Sequence, residues 1–335
     1  MVLSFGEILL RISPDENGEW MNKNILQAYA GGSELNVAAA LAAWKVPVSY
    51  CTAMPDNLLS KQLIKYAGAL QIDTSTILYH GNKTGLYYLP EEKDAYNETI
   101  IYDKLHSSFY DLQPGMIDWD QVLQGIRWFH FSTVSPSLNE NIAAVCEEAL
   151  KACKRKGITV SVDLNHHPKA WQYGKPAGEV VPALLKYCDI VAGNIWNIET
   201  MLNIRIPANI HSISTKENYL RQAKHASEKI IKHFPQCKVV AHPFLLKKNK
   251  LECFATIFGN NNFYSAATYS SDKITDKSGS GDCFMAGLIY GVYNHLPFQQ
   301  LINFATGAAF QKLFVKGEVL NKTVDEIKAF IRHYH

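Results

Sequence analysis

The residues best suited to chemistry lie together at 276–282, Asp276-Lys277-Ser278-Gly279-Ser280-Gly281-Asp282, followed at once by the apolar run Cys283-Phe284-Met285-Ala286-Gly287-Leu288. Gly-Ser-Gly at a helix start leaves backbone N–H groups facing outward with the positive end of the helix dipole behind them, a cradle for an anion. Asp282 then stands where a carboxylate can take the proton of a hydroxyl whose oxygen attacks phosphorus. Read alone, the stretch is equally an ordinary glycine turn whose aspartate favours the dipole. Two commoner phosphate motifs are excluded. A dinucleotide turn needs a third glycine where Phe284 stands, and Gly174-Lys175 is followed by Pro176, not by Ser or Thr.

A second stretch lies far upstream, Gly31-Gly32-Ser33-Glu34-Leu35-Asn36-Val37-Ala38-Ala39-Ala40. Its glycines permit close backbone approach to a ligand, Asn36 offers donor and acceptor from the first helical turn, and the small residues let that helix pack tightly. The plainer reading is a strand-to-helix connection with a polar cap.

Something must hold these stretches together. Short β-rich apolar runs alternate with helical patterns, the signature of a mainly parallel sheet covered on both faces. The pattern predicts strands at 3–10, 48–53, 128–134, 158–163 and 189–193, and a helix at 34–44. Ile142, Val145, Cys146, Ala149, Leu150 and Cys153 recur at helical spacing up to a stop at Gly157, and the C-terminal part reads as helices at 281–294, 297–314 and 324–333. Two segments, about 11–30 and 84–103, break the rhythm and read as antiparallel strands of a small β-sheet lid over one edge. The expected fold class is therefore α/β, a three-layer sandwich in one domain over 1–335.

Composition removes several classes. At 47% hydrophobic and 19% charged residues the chain can bury a large core, and a net charge of +2 gives no reason to expect nucleic acid. The Lys-rich stretches at 154–156 and 247–250 read as helix ends and turns. No run approaches the ~20 apolar residues of a membrane span, the N-terminus lacks a basic leader, and seven cysteines without CxxC spacing suit a reducing cytoplasm. His130 and Cys283 read as core residues, and the histidines form no pattern of metal ligands.

Taken together and in this order, the two stretches resemble the sugar-binding and catalytic signatures of the ribokinase-like (PfkB) carbohydrate kinases. Likeness over nearly the whole chain, in Phe5-Gly6-Glu7-Ile8-Leu9-Leu10-Arg11, Thr84-Gly85-Leu86-Tyr87, 101–108, 113–119, and Asp163-Leu164-Asn165 with Trp171, is similar to 2-keto-3-deoxygluconate kinases. The resemblance implies a ribokinase-like fold, ATP and Mg2+ as cofactors, and transfer to a sugar-acid hydroxyl with Asp282 as general base beside the Gly279-Ser280-Gly281 amides. It implies sugar contacts from Gly32, Ser33, Asn36, Tyr87, Tyr102, Lys104, Asn165 and His167, nucleotide contacts from Asn194 and Lys277, and a role for Asp276 in a turn or at a monovalent cation such as K+. A homodimer through the lid, with Tyr87, Tyr88 and Tyr96 near its edge, is the expected partner.

Departures fall on the site. That family carries arginines where this chain has Lys104 and His167, so the two-point grip on a carboxylate is lost. Its Asn-x-x-Glu stretch reads Asn194-Ile195-Trp196-Asn197, with Glu199 two residues late, and a strand end that usually carries arginine reads Val240-Ala241-His242-Pro243. These changes leave two alternatives, a kinase for a neutral sugar or nucleoside and a non-catalytic sugar-binding relative.

Overall fold

The structure is a computed structural model that describes residues 1–334 apart from 16–17, 22–23, 91–99, 168–169, 206–214 and 248. In chain order its elements open with β1 (Val2–Phe5), β2 (Leu9–Ser13), β3 (Gln27–Gly31), α1 (Ser33–Ala43), β4 (Val48–Cys51), β5 (Ala53–Met54), α2 (Leu58–Ala69) and β6 (Leu78–Tyr79). Next come β7 (Gly85–Tyr88), β8 (Ile101–Asp103), α3 (Trp119–Val122), β9 (Trp128–Ser132), α4 (Glu140–Lys156), β10 (Thr159–Asp163), α5 (Ala177–Leu185), β11 (Ile190–Ala192) and α6 (Ile198–Leu202). The last part holds α7 (Lys216–His233), β12 (Val239–Lys247), β13 (Leu251–Gly259), β14 (Asn262–Ser265), β15 (Tyr269–Ser271), α8 (Ser280–Tyr293), α9 (Phe298–Lys312) and α10 (Val324–Tyr334).

The main sheet runs β14-β13-β12-β11-β10-β9-β1-β4, with β15 also on β13. Pairs from β4 through β12 are parallel and those of β13 with β12, β14 and β15 antiparallel. Strand order reverses at β1, which pairs with β4 on one side and β9 on the other. Ligand clefts of open α/β sheets form at such a point, outside the carboxyl ends of the strands. Two apolar cores pack against the sheet, one built on α4, α5 and α7 and one on α1, α8 and α9.

α4 shows how sequence produces one of these layers. Its apolar residues at three- and four-residue spacing are all buried, Asn139 Oδ1 accepts from Ile142 N at the entry, and Gly157 ends it in the left-handed region at φ 67°. Lys154, Arg155 and Lys156 occupy the last turn, where the dipole favours cations.

Two strand expectations need correction. The apolar run at 3–10 is not one strand. β1 belongs to the main sheet and β2 to a separate four-stranded sheet, β3-β2-β7-β8. The chain leaves the main sheet at Gly6, where a Cβ would lie 2.2 Å from the Glu34 carboxyl carbon. Both strands bury apolar residues, so hydropathy gives no mark of the exit. In the small sheet β2 pairs with β3 and β7 with β8 antiparallel, but β2 and β7 are parallel. Tyr96 lies outside the described residues. The hairpin β13–β14 was not anticipated, although Asn260 and Asn261, at φ 50° and 60°, are the residue type its turn requires.

Candidate active site

A cleft of about 1050 Å3 runs across the carboxyl ends of β1, β10 and β11, between the small sheet and the start of α8. It brings together Gly32, Ser33, Asn36, Tyr87, Tyr102, Lys104, Asn165, His167, Asn194, Lys277, Gly279, Ser280, Gly281 and Asp282, residues predicted from stretches up to 250 positions apart. Asp276 lies just behind its wall, fully buried.

Two glycines make this assembly possible. Gly32 precedes α1 at φ 129°, where a Cβ would stand 2.3 Å from the Glu7 carbonyl oxygen. Gly279 precedes α8 at φ 75°, where a Cβ would stand 2.1 Å from the Glu318 carbonyl oxygen. Both conformations and both close approaches demand glycine. Gly281, by contrast, has open space beside it. Ser280 turns its hydroxyl inward to the Ala309 carbonyl oxygen at 2.9 Å, tying α8 to α9, and its N–H donates to the Lys277 carbonyl oxygen at 3.2 Å, closing the turn.

Asp282 stands in the first turn of α8, buried. Asn36 Nδ2 donates to its Oδ2 at 2.8 Å and to Glu318 Oε2 at 3.1 Å. Burial drives its carboxyl up to about 7, opposed by the Asn36 hydrogen bond and reinforced by the charges of Glu318 and Glu34. A carboxylate with affinity for a proton near neutrality is suited to general-base work.

Glu318, which sequence reading missed, is the hub of this network. Tyr87 Oη donates to its Oε1 at 2.5 Å and Arg11 Nη1 at 2.8 Å. Arg11 Nη1 also donates to Asp276 Oδ2 at 2.9 Å, and its Nε to Ser13 Oγ at 3.0 Å. A fully buried guanidinium thus joins the small sheet to the turn before α8. No local pattern marks Glu318 in Lys316-Gly317-Glu318, because its partners come from β2, β7 and α1.

Asp276 is tied into the turn before α8. Its Oδ1 accepts from Ser278 N at 2.9 Å, and its Oδ2 accepts from Gly317 N at 2.9 Å as well as from Arg11. Both oxygens are thus engaged by donors, one of them cationic.

At the end of the cleft under the small sheet Lys104 is buried, with Nζ 3.7 Å from Glu7 Oε2 and 5.0 Å from the centre of the Tyr102 ring. Glu7 Oε1 accepts from Ser107 Oγ. His167 packs edge-on to Tyr102, with Nδ1 3.4 Å from its hydroxyl. Burial, then the charges of Lys104, His166 and Lys277, push the imidazole down to about 4, so it is neutral at pH 7. Asn165 Nδ2 donates to Ser33 Oγ at 3.3 Å. Glu34 Oε1 accepts from Ser132 N, Ser132 Oγ and Ser135 Oγ, clamping α1 to the end of β9. Among the described residues, Asn36 Oδ1 and Glu7 Oε2 are buried acceptors with no hydrogen-bond donor.

The other end of the cleft is aromatic. Trp196, Tyr219 and Phe244 meet at ring-centre distances of 5.7–5.8 Å and line the wall with Asn194 and Asn197. This cluster was also missed, since its members come from three separate elements. Asn194 Oδ1 accepts from Trp196 N at 3.0 Å, fixing the turn, whereas Glu199 is exposed and off the cleft. His242 does not face the cleft. It is buried, with Nδ1 2.8 Å from the Gly193 carbonyl oxygen, and burial pushes it down to about 4. His130 is a core residue with Nδ1 3.1 Å from Ser161 Oγ, and the buried Cys283 thiol is pushed up to about 12, too high for a nucleophile. Among the described residues no three His, Cys, Asp or Glu side chains group as a metal cage, and no helix is long and apolar enough to cross a membrane.

The site thus unites a mostly parallel α/β sheet, a small β-sheet over its cleft and a glycine turn headed by a buried aspartate. Residues 1–322 match the pfkB family carbohydrate kinase model, and the chain belongs to that family. It is 20% identical to a 2-dehydro-3-deoxygalactonokinase of Haloferax volcanii over 331 residues, covering 99% of this chain and 96% of that one. Among solved structures, a 2-dehydro-3-deoxygluconokinase from Thermotoga maritima superposes with TM-score 0.88 at 27% identity, over 99% of this chain and 98% of its own. An E. coli structure described as a putative ribokinase II in complex with ATP and Mg2+ superposes at TM-score 0.78 and 17% identity, covering 99% of both chains.

Proposed function

We propose that this carbohydrate kinase transfers the terminal phosphoryl group of ATP to a hydroxyl of a 2-keto-3-deoxy sugar acid, 2-keto-3-deoxygluconate first, with Asp282 as the general base. The observation that carries the reading is the buried Asp282 carboxyl, raised to about 7, at the head of the glycine turn and hydrogen-bonded to Asn36 of the sugar side. Asp282 takes the hydroxyl proton as that oxygen bonds to phosphorus and the bond to the departing ADP oxygen breaks. The amides of Gly279 and Gly281 are the ones left to face the phosphoryl oxygens, since Ser280 N donates to the Lys277 carbonyl oxygen at 3.2 Å, and Lys277 adds positive charge at the same wall. The orphan acceptor Asn36 Oδ1 suits a hydroxyl donor of a polyol. Lys104 supplies positive charge for a carboxylate. The aromatic end of the cleft suits a nucleobase.

Magnesium bound chiefly through phosphates and water needs few protein ligands. Asp163 fits its vicinity. This cleft carboxyl is held well above its usual range by burial and by the charges of Asp282 and Glu34, a surplus of negative charge that a divalent cation relieves. The cation would neutralise charge developing on the phosphates.

One observation favours a neutral sugar as the second reading. Five buried or half-buried carboxyl groups, Glu7, Glu34, Asp163, Asp282 and Glu318, line the cleft, while Lys104 is shared with Glu7 and His167 is neutral. ADP release should be measured with Mg2+ and ATP across 2-keto-3-deoxygluconate, 2-keto-3-deoxygalactonate, gluconate, fructose, ribose and adenosine. Turnover on the keto-acids carries the first reading, turnover on fructose or adenosine alone the second, and silence on all removes both. On the first reading His167→Arg restores a guanidinium fork toward the carboxylate and lowers KM for the keto-acid roughly tenfold, with kcat little changed; an unchanged KM would detach position 167 from the carboxylate.

Ile101 of β8 and, in the segments next to β3 and β8, Met21, Ile25, Leu26 and Leu105 expose apolar side chains, and we read the small sheet's edge as the contact of a homodimer. Sedimentation velocity should give a dimer that Ile101→Lys dissociates; a wild-type monomer would dismiss it.

A further inference from the structure

One buried charged group next to the site has no part in the mechanism above. Lys312, the last residue of α9, is fully buried, among the largest side chains with no exposure at all. Burial of an ammonium is costly unless something nearby compensates it. Here Nζ donates to the Val315 carbonyl oxygen at 2.8 Å, just past the helix end where the dipole is negative. Burial lowers its proton affinity, with Arg11 acting in the same sense, and the charges of Asp276 and Glu318 act the other way.

The position is specific. A Cβ on Gly279 would lie 3.4 Å from Lys312 Cε, so the stem packs directly under the turn whose amides open on the cleft. Asp276, on the same turn, has both carboxylate oxygens engaged, by Arg11, Gly317 N and Ser278 N. The turn is thus bracketed by two protein cations, Arg11 in front of Asp276 and Lys312 beneath Gly279.

We propose that the Lys312 ammonium is a resident cation of the phosphate-binding turn. It holds the 276–281 turn on the 312–318 segment, adds a fixed positive charge behind the amides that receive phosphate, and makes nucleotide binding and turnover independent of added K+. Lys312 is a positioning residue, since it acts through the turn and does not touch substrate. The inference rests on the kinase reading for its account of turnover, but its account of nucleotide binding can be tested alone.

The test is calorimetric titration of the full chain with Mg2+ and ATP, first with tetramethylammonium as the sole monovalent cation and then with K+ in its place, alongside ADP-release assays in the same salts. Wild-type affinity is expected to be equal in both. Lys312→Met, which keeps the stem and removes the charge, is expected to weaken ATP on the order of tenfold with KM for sugar unchanged. Lys312→Ala is expected to regain part of that loss when propylammonium is added, a rescue that a packing role alone would not give. Affinity that rises several-fold with K+ in the wild type overturns the proposal, and that arm stands even if the variants fail to fold. So does a folded Lys312→Met chain with wild-type affinity. Nucleotide binding without turnover on any sugar sinks the kinase reading and leaves these arms intact, whereas no binding in any salt overturns both.

Discussion

Asp282→Asn is expected to lower turnover by ~100-fold or more while leaving sugar and ATP affinities within a few-fold of wild type, because the amide keeps the shape of the carboxylate but cannot accept the proton. The same substitution should stabilise the fold. The Asp282 carboxyl has its pKa raised to about 7 by burial, against an ordinary 3.8, so the native state holds this proton more tightly than the unfolded chain. With that sign, stability is greatest below the unfolded value, declines as pH rises toward about 7, and bears the full cost of a buried charge above it. Removing the charge should raise unfolding free energy at pH 8 by on the order of 1–3 kcal/mol, read by urea denaturation, with little gain at pH 4. In the wild type kcat/KM should climb through pH ~7 as the base loses its proton. A variant with unchanged turnover would remove Asp282 from the mechanism, and a flat pH profile would disconnect its titration from the rate.

Arg11→Met is expected to cost about 3–5 kcal/mol of stability, since it strips a fully buried cation from between two carboxylates and leaves both without their charge partner. Chemical denaturation would measure it. Adding Glu318→Gln to Arg11→Met should return part of the loss, because one of the two stranded charges is then gone. The site should suffer as well. Glu318 positions both Tyr87 and Asn36, so KM for the sugar should rise in Arg11→Met even where the protein remains folded. A loss below about 1 kcal/mol, typical of exposed pairs, would mean that Arg11 does not hold the small sheet to the turn.

Local pattern was enough for much of this molecule. The spacing of buried residues in α4 with its Asn139 and Gly157 ends, the helices after Gly279, and the Gly-Ser-Gly turn before Asp282 all follow from short-range rules: helical period, capping, and the backbone freedom of glycine. The stretches at 31–40 and 276–282 were legible as contiguous runs, but each alone was equally a plain turn or cap, and only their joint resemblance to the signatures of one kinase family marked them as a site.

Other features depend on distance in the chain. The apolar run at 3–10 carries no mark of passing from one sheet to another, since hydropathy records burial and not the layer in which a residue is buried. Glu318, Arg11 and Lys312 are single charged residues in unremarkable surroundings until β2, β7, α1 and the turn at 276–281 close around them. Trp196, Tyr219 and Phe244 become one wall only after three elements meet. The sequence by itself determined the fold class, the glycine turn and the aspartate that heads it, because those rest on neighbours along the chain. Only the tertiary structure decided the proton affinity of that aspartate, the neutrality of His167 and the cations that brace the turn, because burial and charge are set by groups hundreds of residues away in sequence and a few ångströms away in space.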